Sequence, residues 1–357
     1  MATALVYVGT YSNDPAEGIY HLQLDLDSGA LKQVGETKPV DNPFFLAVDS
    51  ANSRLFATTG PDESSTDPAG GVISYRIDRA TGALTQLSQQ PSEGAMPCYL
   101  DLTPDGRCLV VGNYTSGSVA VLPVADDGQL QPATCTVQHA GSGPDPERQE
   151  GPHVHSAVID PSGRFAFAAD LGTDQVMAYA LDASAGRLSP ADPPFAAVQA
   201  GAGPRHLVFH PNRRFAYLAN ELDNTCSVFA YDEARGALSA LQTIAMVPAG
   251  YDGTSYAADV QILPSGRYLY GANREHNSIA VFRVDADTGK LTAVDHQACE
   301  PWPWNLAIDP SSTWLLSANR DGDCVTVFGI DADSGRLAPT DQRVDMPKPV
   351  CVEFLRN

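Results

Sequence analysis

The sequence predicts an all-β fold: a seven-bladed β-propeller with four antiparallel strands in each blade. Three observations predict it. A Gly-x-Leu step recurs seven times, apolar residues alternate with a period of two, and the two ends of the chain complement each other. The steps begin at Gly29, Gly82, Gly128, Gly186, Gly236, Gly289 and Gly335, each after an Asp-rich turn. Their spacings of 53, 46, 58, 50, 53 and 46 residues average 51, and seven such units fill 357 residues. A fixed period of about this length marks a repeat architecture.

Each unit carries the same parts in order. A short apolar strand ends in Asp-Pro or a relative, as in Ala157-Val158-Ile159-Asp160-Pro161 and Leu306-Ala307-Ile308-Asp309-Pro310. A polar turn follows, then an apolar and aromatic strand that ends near Ala-Asn. A third strand alternates, as in Ser227-Val228-Phe229-Ala230-Tyr231, and the Gly-x-Leu step opens a weaker fourth. Alternation, β-branched and aromatic residues, and turns rich in Gly, Asp, Asn and Pro all read as strands. No segment shows sustained helical periodicity. Four short strands repeated seven times form a propeller. Residues 1–38 hold the second, third and fourth strands of a unit but lack the first, and Pro349–Leu355 is a lone strand of the missing kind. Pairing the two closes the ring and removes an edge that would otherwise stay open. The expectation is one domain over residues 1–357.

The charge balance is 22 basic against 43 acidic residues, a net −21. It argues against nucleic acid and anionic membrane surfaces, both of which need a basic footprint. A site for an anion would have to be locally basic within a repelling field. Seven cysteines, at 98, 108, 135, 226, 299, 324 and 351, form no CxxC pair. Zinc, haem and redox spacings are therefore missing, and the thiols read as those of a protein in a reducing compartment. The N-terminus shows no secretory pattern, and no run approaches the roughly 18 apolar residues of a membrane helix. The expected location is the cytoplasm. The sequence leaves the oligomeric state open, and a closed ring with a polar exterior is compatible with a monomer.

The sequence contains no Gly-x-Ser-x-Gly elbow, HExxH, Walker loop or Rossmann fingerprint, so the site has to be sought by geometry. The first strand of a blade lines the channel and the second runs antiparallel beside it. The starts of first strands and the ends of second strands therefore share one mouth. His153 and His155 start the fourth blade, and Arg205 and His206 the fifth. Asn220 and Glu221 end the second strand of the fifth blade, Asn273 and Arg274 that of the sixth, and Asn319 and Arg320 that of the seventh. Trp302, Trp304 and Asn305 start the seventh blade. Their convergence predicts a basic pocket on an acidic protein. Structural readings compete at each position. His155 could be a satisfied strand-end residue, Arg205 a bridge between blades, Glu221 and Arg274 a plain ion pair. The recurrent Asn at 113, 220, 273 and 319 could be turn chemistry, and His210 beside Pro211 reads as structural. His153 and His155, two apart on a strand, would point the same way and could begin a metal site, with His206 or Glu221 as further ligands. Three loops, 61–71, 139–152 and 247–258, exceed the repeat and are either functional or merely long.

The run Gly201-Ala-Gly-Pro-Arg-His-Leu-Val-Phe-His-Pro-Asn212, with Ala219-Asn-Glu-Leu222, Ala257-Ala-Asp259, Ala272-Asn-Arg274 and His155-Ser156-Ala157, resembles the lactonase family of seven-bladed propellers. That family includes bacterial propeller-type 6-phosphogluconolactonases and fungal carboxymuconate-lactonizing enzymes. The first three blades match only in pattern. The resemblance implies that His155, Arg205, Glu221 and Arg274 are the functional residues. The placement at one mouth adds His153, His206, Asn220, Asn273, Trp304 and Arg320 as candidate substrate contacts. The family holds both hydrolases and cycloisomerases and does not fix the substrate; the expectation is hydrolysis of an anionic sugar-acid lactone, with 6-phosphogluconolactone foremost. Here His155 or Glu221 would be the base, and Arg205 and Arg274 would bind the oxyanion and the substrate's phosphate or carboxylate. The scheme calls for no metal or organic cofactor. A muconate-type cycloisomerase could use the same cations, and a propeller that only binds a partner remains a third reading.

Overall fold

The computed structural model describes residues 2–11, 18–61 and 69–356. The described residues form seven four-stranded antiparallel sheets and no helix. Blade 1 is completed by the C-terminal strand. Pro349–Leu355 pairs with Thr3–Thr10, placing Val352 opposite Val8 and Phe354 opposite Val6. Blades 2 to 7 follow in chain order. Their innermost strands are Leu46–Asp49, Pro97–Leu102, Val154–Ile159, Pro204–Phe209, Tyr256–Ile262 and Pro303–Ile308. Each packs on the next, and the C-terminal strand packs on those of blades 7 and 2, so the ring closes.

The core lies between neighbouring blades. Phe167 and Phe229 join blades 4 and 5, and Tyr270 and Phe328 join blades 6 and 7. The Gly-x-Leu step contributes to this packing. All seven of its glycines have positive φ, between 58° and 88°, a region that glycine enters without the Cβ penalty. Space demands glycine as well. A Cβ on Gly236 would stand 2.2 Å from the ring of Phe165 in the preceding blade. The Tyr217 and Tyr270 hydroxyls donate to the carbonyls of Gly289 and Gly335 in the blades ahead. The Asp before each step caps the turn, as when Asp232 Oδ1 accepts from Ala234 N.

Blade 3 departs from the expected pattern. Leu130 makes only an isolated bridge to Val124, and the fourth strand forms later, at Cys135–Gln138. Of the three long loops, residues 62–68 lie outside the described residues, and Ala69–Gly71 already belong to a strand. In the third loop Tyr256 opens the inner strand of blade 6.

One irregularity of the inner strands shapes the mouth of the channel. Pro97 pairs with Asn113 and Tyr99 with Gly112, leaving Cys98 as an extra residue. The same bulge leaves out His155 in blade 4, Arg205 in blade 5 and Trp304 in blade 7. A bulged residue leaves the ladder, and its side chain is re-aimed.

Candidate active site

A cavity of about 170 Å³ opens at the end of the channel where the inner strands begin. His155, Cys98 and Trp304 line it from bulges, and Glu221, Arg274 and Arg320 from the ends of second strands or the residue just beyond. Tyr11, Phe44, Met96 and Tyr114 add an apolar and aromatic wall, and Arg148 reaches in from the loop between blades 3 and 4.

Glu221 is the centre of the charge network. Its Oε2 lies 3.0 Å from Arg205 Nε, 2.8 Å from Arg274 Nη2 and 3.6 Å from His155 Nε2. Its Oε1 accepts from Arg148 Nη2 at 2.5 Å. Burial alone would raise the Glu221 pKa. The charges of Arg274, Arg205 and Arg148 outweigh it and hold the carboxyl well below the usual range. His155 is neutral at physiological pH, because burial and then the Arg205 charge push its pKa well below the ordinary value. Burial pushes the Cys98 thiol up to about 12, so it carries no thiolate at neutral pH. The cations hold donors in reserve. Nε of Arg274, Nε of Arg320 and Nη2 of Arg205 are buried without a hydrogen-bond partner. The Trp304 ring lies within 5.0–5.3 Å of the guanidinium carbons of Arg274, Arg205 and Arg320, close enough for cation–π attraction.

Several expected contacts stand elsewhere. Arg205 is 0% exposed and is not among the residues that line the cavity. It anchors Glu221 and donates from Nη1 to Ala258 O and to His206 Nε2. His206 also lies below the cavity. Its Nδ1–H donates to Asp259 Oδ1 at 2.9 Å, which leaves Nε2 as the acceptor for Arg205. Its ring meets Tyr99 and Phe45, and these two rings stack at 4.0 Å to plug the channel. Asn220 and Asn273 are buried and clamp their own hairpins through Ser227 and Ser278. Asn113 and Asn319 repeat the clamp through Ser118 and Thr326, so the turn-chemistry reading holds. His153 precedes the strand and stacks on Tyr114, with Nε2 at 3.0 Å from Glu150. His155 sits on the bulge and also touches the Tyr114 ring, but its Nε2 faces Glu221. The spacing of two therefore does not join them as metal ligands, and among the described residues no three His, Cys, Asp or Glu side chains form a metal-binding group. His210 accepts from Asn212 N and contacts Gly266 O, a structural role.

Sequence reasoning missed Arg148 and the aromatic wall. It placed Asp259 within a motif but gave it no role; its carboxylate accepts from His206, Asn305, Leu306 N and Gln261.

The family model described as "Lactonase, 7-bladed beta-propeller" matches residues 5–354. The chain belongs to this family. It is 35% identical to a 6-phosphogluconolactonase of Bacillus subtilis over the full length of both chains. Two solved structures agree with its fold. A periplasmic gluconolactonase of Pseudomonas aeruginosa superposes with a TM-score of 0.94 at 36% identity, covering 99% of each chain. A putative 6-phosphogluconolactonase of Bacteroides fragilis gives 0.90 at 33% identity, covering 99% of this chain and 98% of its own. The relatives thus carry two substrate names, one with a phosphate and one without.

Proposed function

We propose that this lactonase-family protein hydrolyses a sugar-acid lactone, and that its best substrate is the phosphorylated one, 6-phosphogluconolactone. The observation that carries this reading is the cavity itself. In a chain of net charge −21, Arg148, Arg274 and Arg320 share one small mouth with a single carboxylate and a neutral imidazole. Such a mouth suits an anion that develops further negative charge as it reacts.

In the proposed reaction His155 takes a proton from the attacking water. Glu221, 3.6 Å away, stabilises the imidazolium that forms. Arg274 and Arg320, which line the cavity, stabilise the negative charge that grows on the carbonyl oxygen. The imidazolium then returns its proton to the ring oxygen as the ester bond breaks. The scheme draws on protein groups alone. A bound anion also improves the base, because it offsets the guanidinium charges that depress the His155 pKa.

Glu221→Gln keeps the size of the side chain and removes its charge. Turnover of freshly prepared 6-phosphogluconolactone should fall by roughly 10²–10⁴-fold, after subtraction of spontaneous opening, with an unchanged circular dichroism spectrum. A folded variant as active as wild type would refute the assignment. A wild type no faster than background would refute the substrate.

A further inference from the structure

The geometry points to Arg148 as a specificity-determining residue. We propose that it leaves Glu221 for a dianionic group on the incoming lactone, such as a phosphate monoester, and so uncovers the Glu221 carboxylate. This rests on the lactone-hydrolysing reading of the cavity.

The two oxygens of Glu221 are held unequally. Oε2 faces Arg205, Arg274 and His155, whose side chains are all at least nine-tenths buried. Among the described residues Oε1 is paired with Arg148, and that side chain is 37% exposed. Of the groups that grip Glu221, only Arg148 can move toward solvent or a ligand without opening a buried gap.

The loop that carries it is fixed. Gln149, fully buried, donates to Leu171 O and Asp174 Oδ1, both at 2.8 Å. Asp174 in turn accepts from Gly201 N and Gly203 N, just ahead of the inner strand of blade 5. At the loop's start, His139 is locked between Asp170 at 2.7 Å and the Tyr179 hydroxyl at 2.9 Å. Asp145 Oδ1 accepts from Glu147 N and Arg148 N. The backbone at residue 148 is thus held, and the long side chain, bonded to Glu221 and to the Tyr114 side chain, is the part that can move.

A phosphate dianion competes well for this side chain. It offers a guanidinium two parallel charge-assisted hydrogen bonds, and Glu221 keeps Arg205 and Arg274 when Arg148 departs. The released Oε1 then faces the cavity that Glu221 lines, which strengthens its support of a protonated His155. An uncharged lactone leaves Arg148 where it is. Arg320 also lines the cavity, from blade 7, about half a turn around the ring from the junction of blades 3 and 4. It has no bond to Glu221, so moving it uncovers nothing.

The test compares Arg148→Gln with Arg320→Gln in the full-length protein, with thermal unfolding as a check on the fold. One readout is the kcat/KM ratio for 6-phosphogluconolactone over unphosphorylated gluconolactone. The other is calorimetric binding of 6-phosphogluconate against gluconate. Wild type should prefer the phosphorylated member of each pair. Arg148→Gln should lower both preferences at least about tenfold, and Arg320→Gln should slow both substrates alike. A wild type that prefers the unphosphorylated compounds, an Arg148→Gln variant with both preferences intact, or a preference that collapses in Arg320→Gln instead would overturn the proposal. If wild type opens neither lactone, the lactonase reading fails by itself, and the binding comparison alone decides the role of Arg148.

Discussion

The two ends of the central channel are built from the same inner strands, yet they have opposite electrostatics. Where the strands begin, Glu221 sits among Arg148, Arg205 and Arg274 and stays ionised although it is buried. Where they end, Asp101 and Glu353 line a cavity with Asp259 and have no ion-pair partner among the described residues. Burial pushes Asp101 up to about 6, and burial with the neighbouring Asp101 and Asp259 charges pushes Glu353 up to about 8. The plug of Phe45, Tyr99 and His206 lies between the two ends. One family of strands can therefore hold one carboxylate charged and another mostly neutral at pH 7. The difference comes from the three arginines that pair directly with Glu221, for which Glu353 has no counterpart among the described ion pairs.

The harshest way to break this contrast is to remove the cation beneath Glu221. Arg205→Met should cost roughly 3–5 kcal/mol, because it strips a buried partner from a buried carboxylate and leaves Ala258 O and His206 Nε2 unpaired. Urea unfolding measures the loss, and a stability equal to wild type would show that Arg205 is not holding the network. A gentler probe tests the other end. The folded-state pKa of Glu353 is raised from 4.5 to about 8, so the folded state binds the extra proton. The stability this contributes is complete below about pH 4.5 and is lost as pH rises through 8. Glu353→Gln remains neutral throughout, so its unfolding midpoint should match wild type near pH 5 and exceed it at pH 8.5. Parallel midpoint curves over that range would mean that Glu353 titrates normally.

Much of the fold and of the first mouth was legible in the sequence, the acidic second end was not, and the reasons for the gaps are physical. The repeat was readable because the turn chemistry is local. Every Gly-x-Leu step needs a glycine at positive φ, and the Asp ahead of each step caps the turn. Ring closure was readable because one strand was missing at one end and spare at the other. The mouth itself was legible from strand order, which gathered His155, Glu221, Arg274, Trp304 and Arg320. Period-two reasoning failed where a bulge intervenes, since it paired His153 with His155, and strand order carried Arg205 to the mouth although its side chain is fully buried against Glu221 and Ala258 O. A clue was present, because Cys98, Arg205 and Trp304 each follow a proline at the start of an inner strand. Asn220 and Asn273 misled as substrate contacts, although the same Asn recurs in blades 3 and 7, as a structural clamp would. Arg148 could not be read from periodicity, because residues 139–152 belong to no repeat and are positioned by distant partners such as Asp170 and Asp174. The apolar and aromatic wall of Tyr11, Phe44 and Met96 comes from the first three blades, outside the motifs on which the resemblance rests, although the family model covers these blades as well.

The most direct test of the central claim sets the two ends against each other in one assay. Hydrolysis of 6-phosphogluconolactone, corrected for spontaneous opening, would be measured for wild type, Arg274→Ala and Glu353→Gln near neutral pH. The account predicts that Arg274→Ala loses at least about 10²-fold in kcat/KM, as expected for a lost donor to the developing oxyanion, while Glu353→Gln keeps the wild-type rate. A full-rate Arg274→Ala variant, or a loss of activity confined to Glu353→Gln, would place the chemistry at the wrong end of the channel and contradict it.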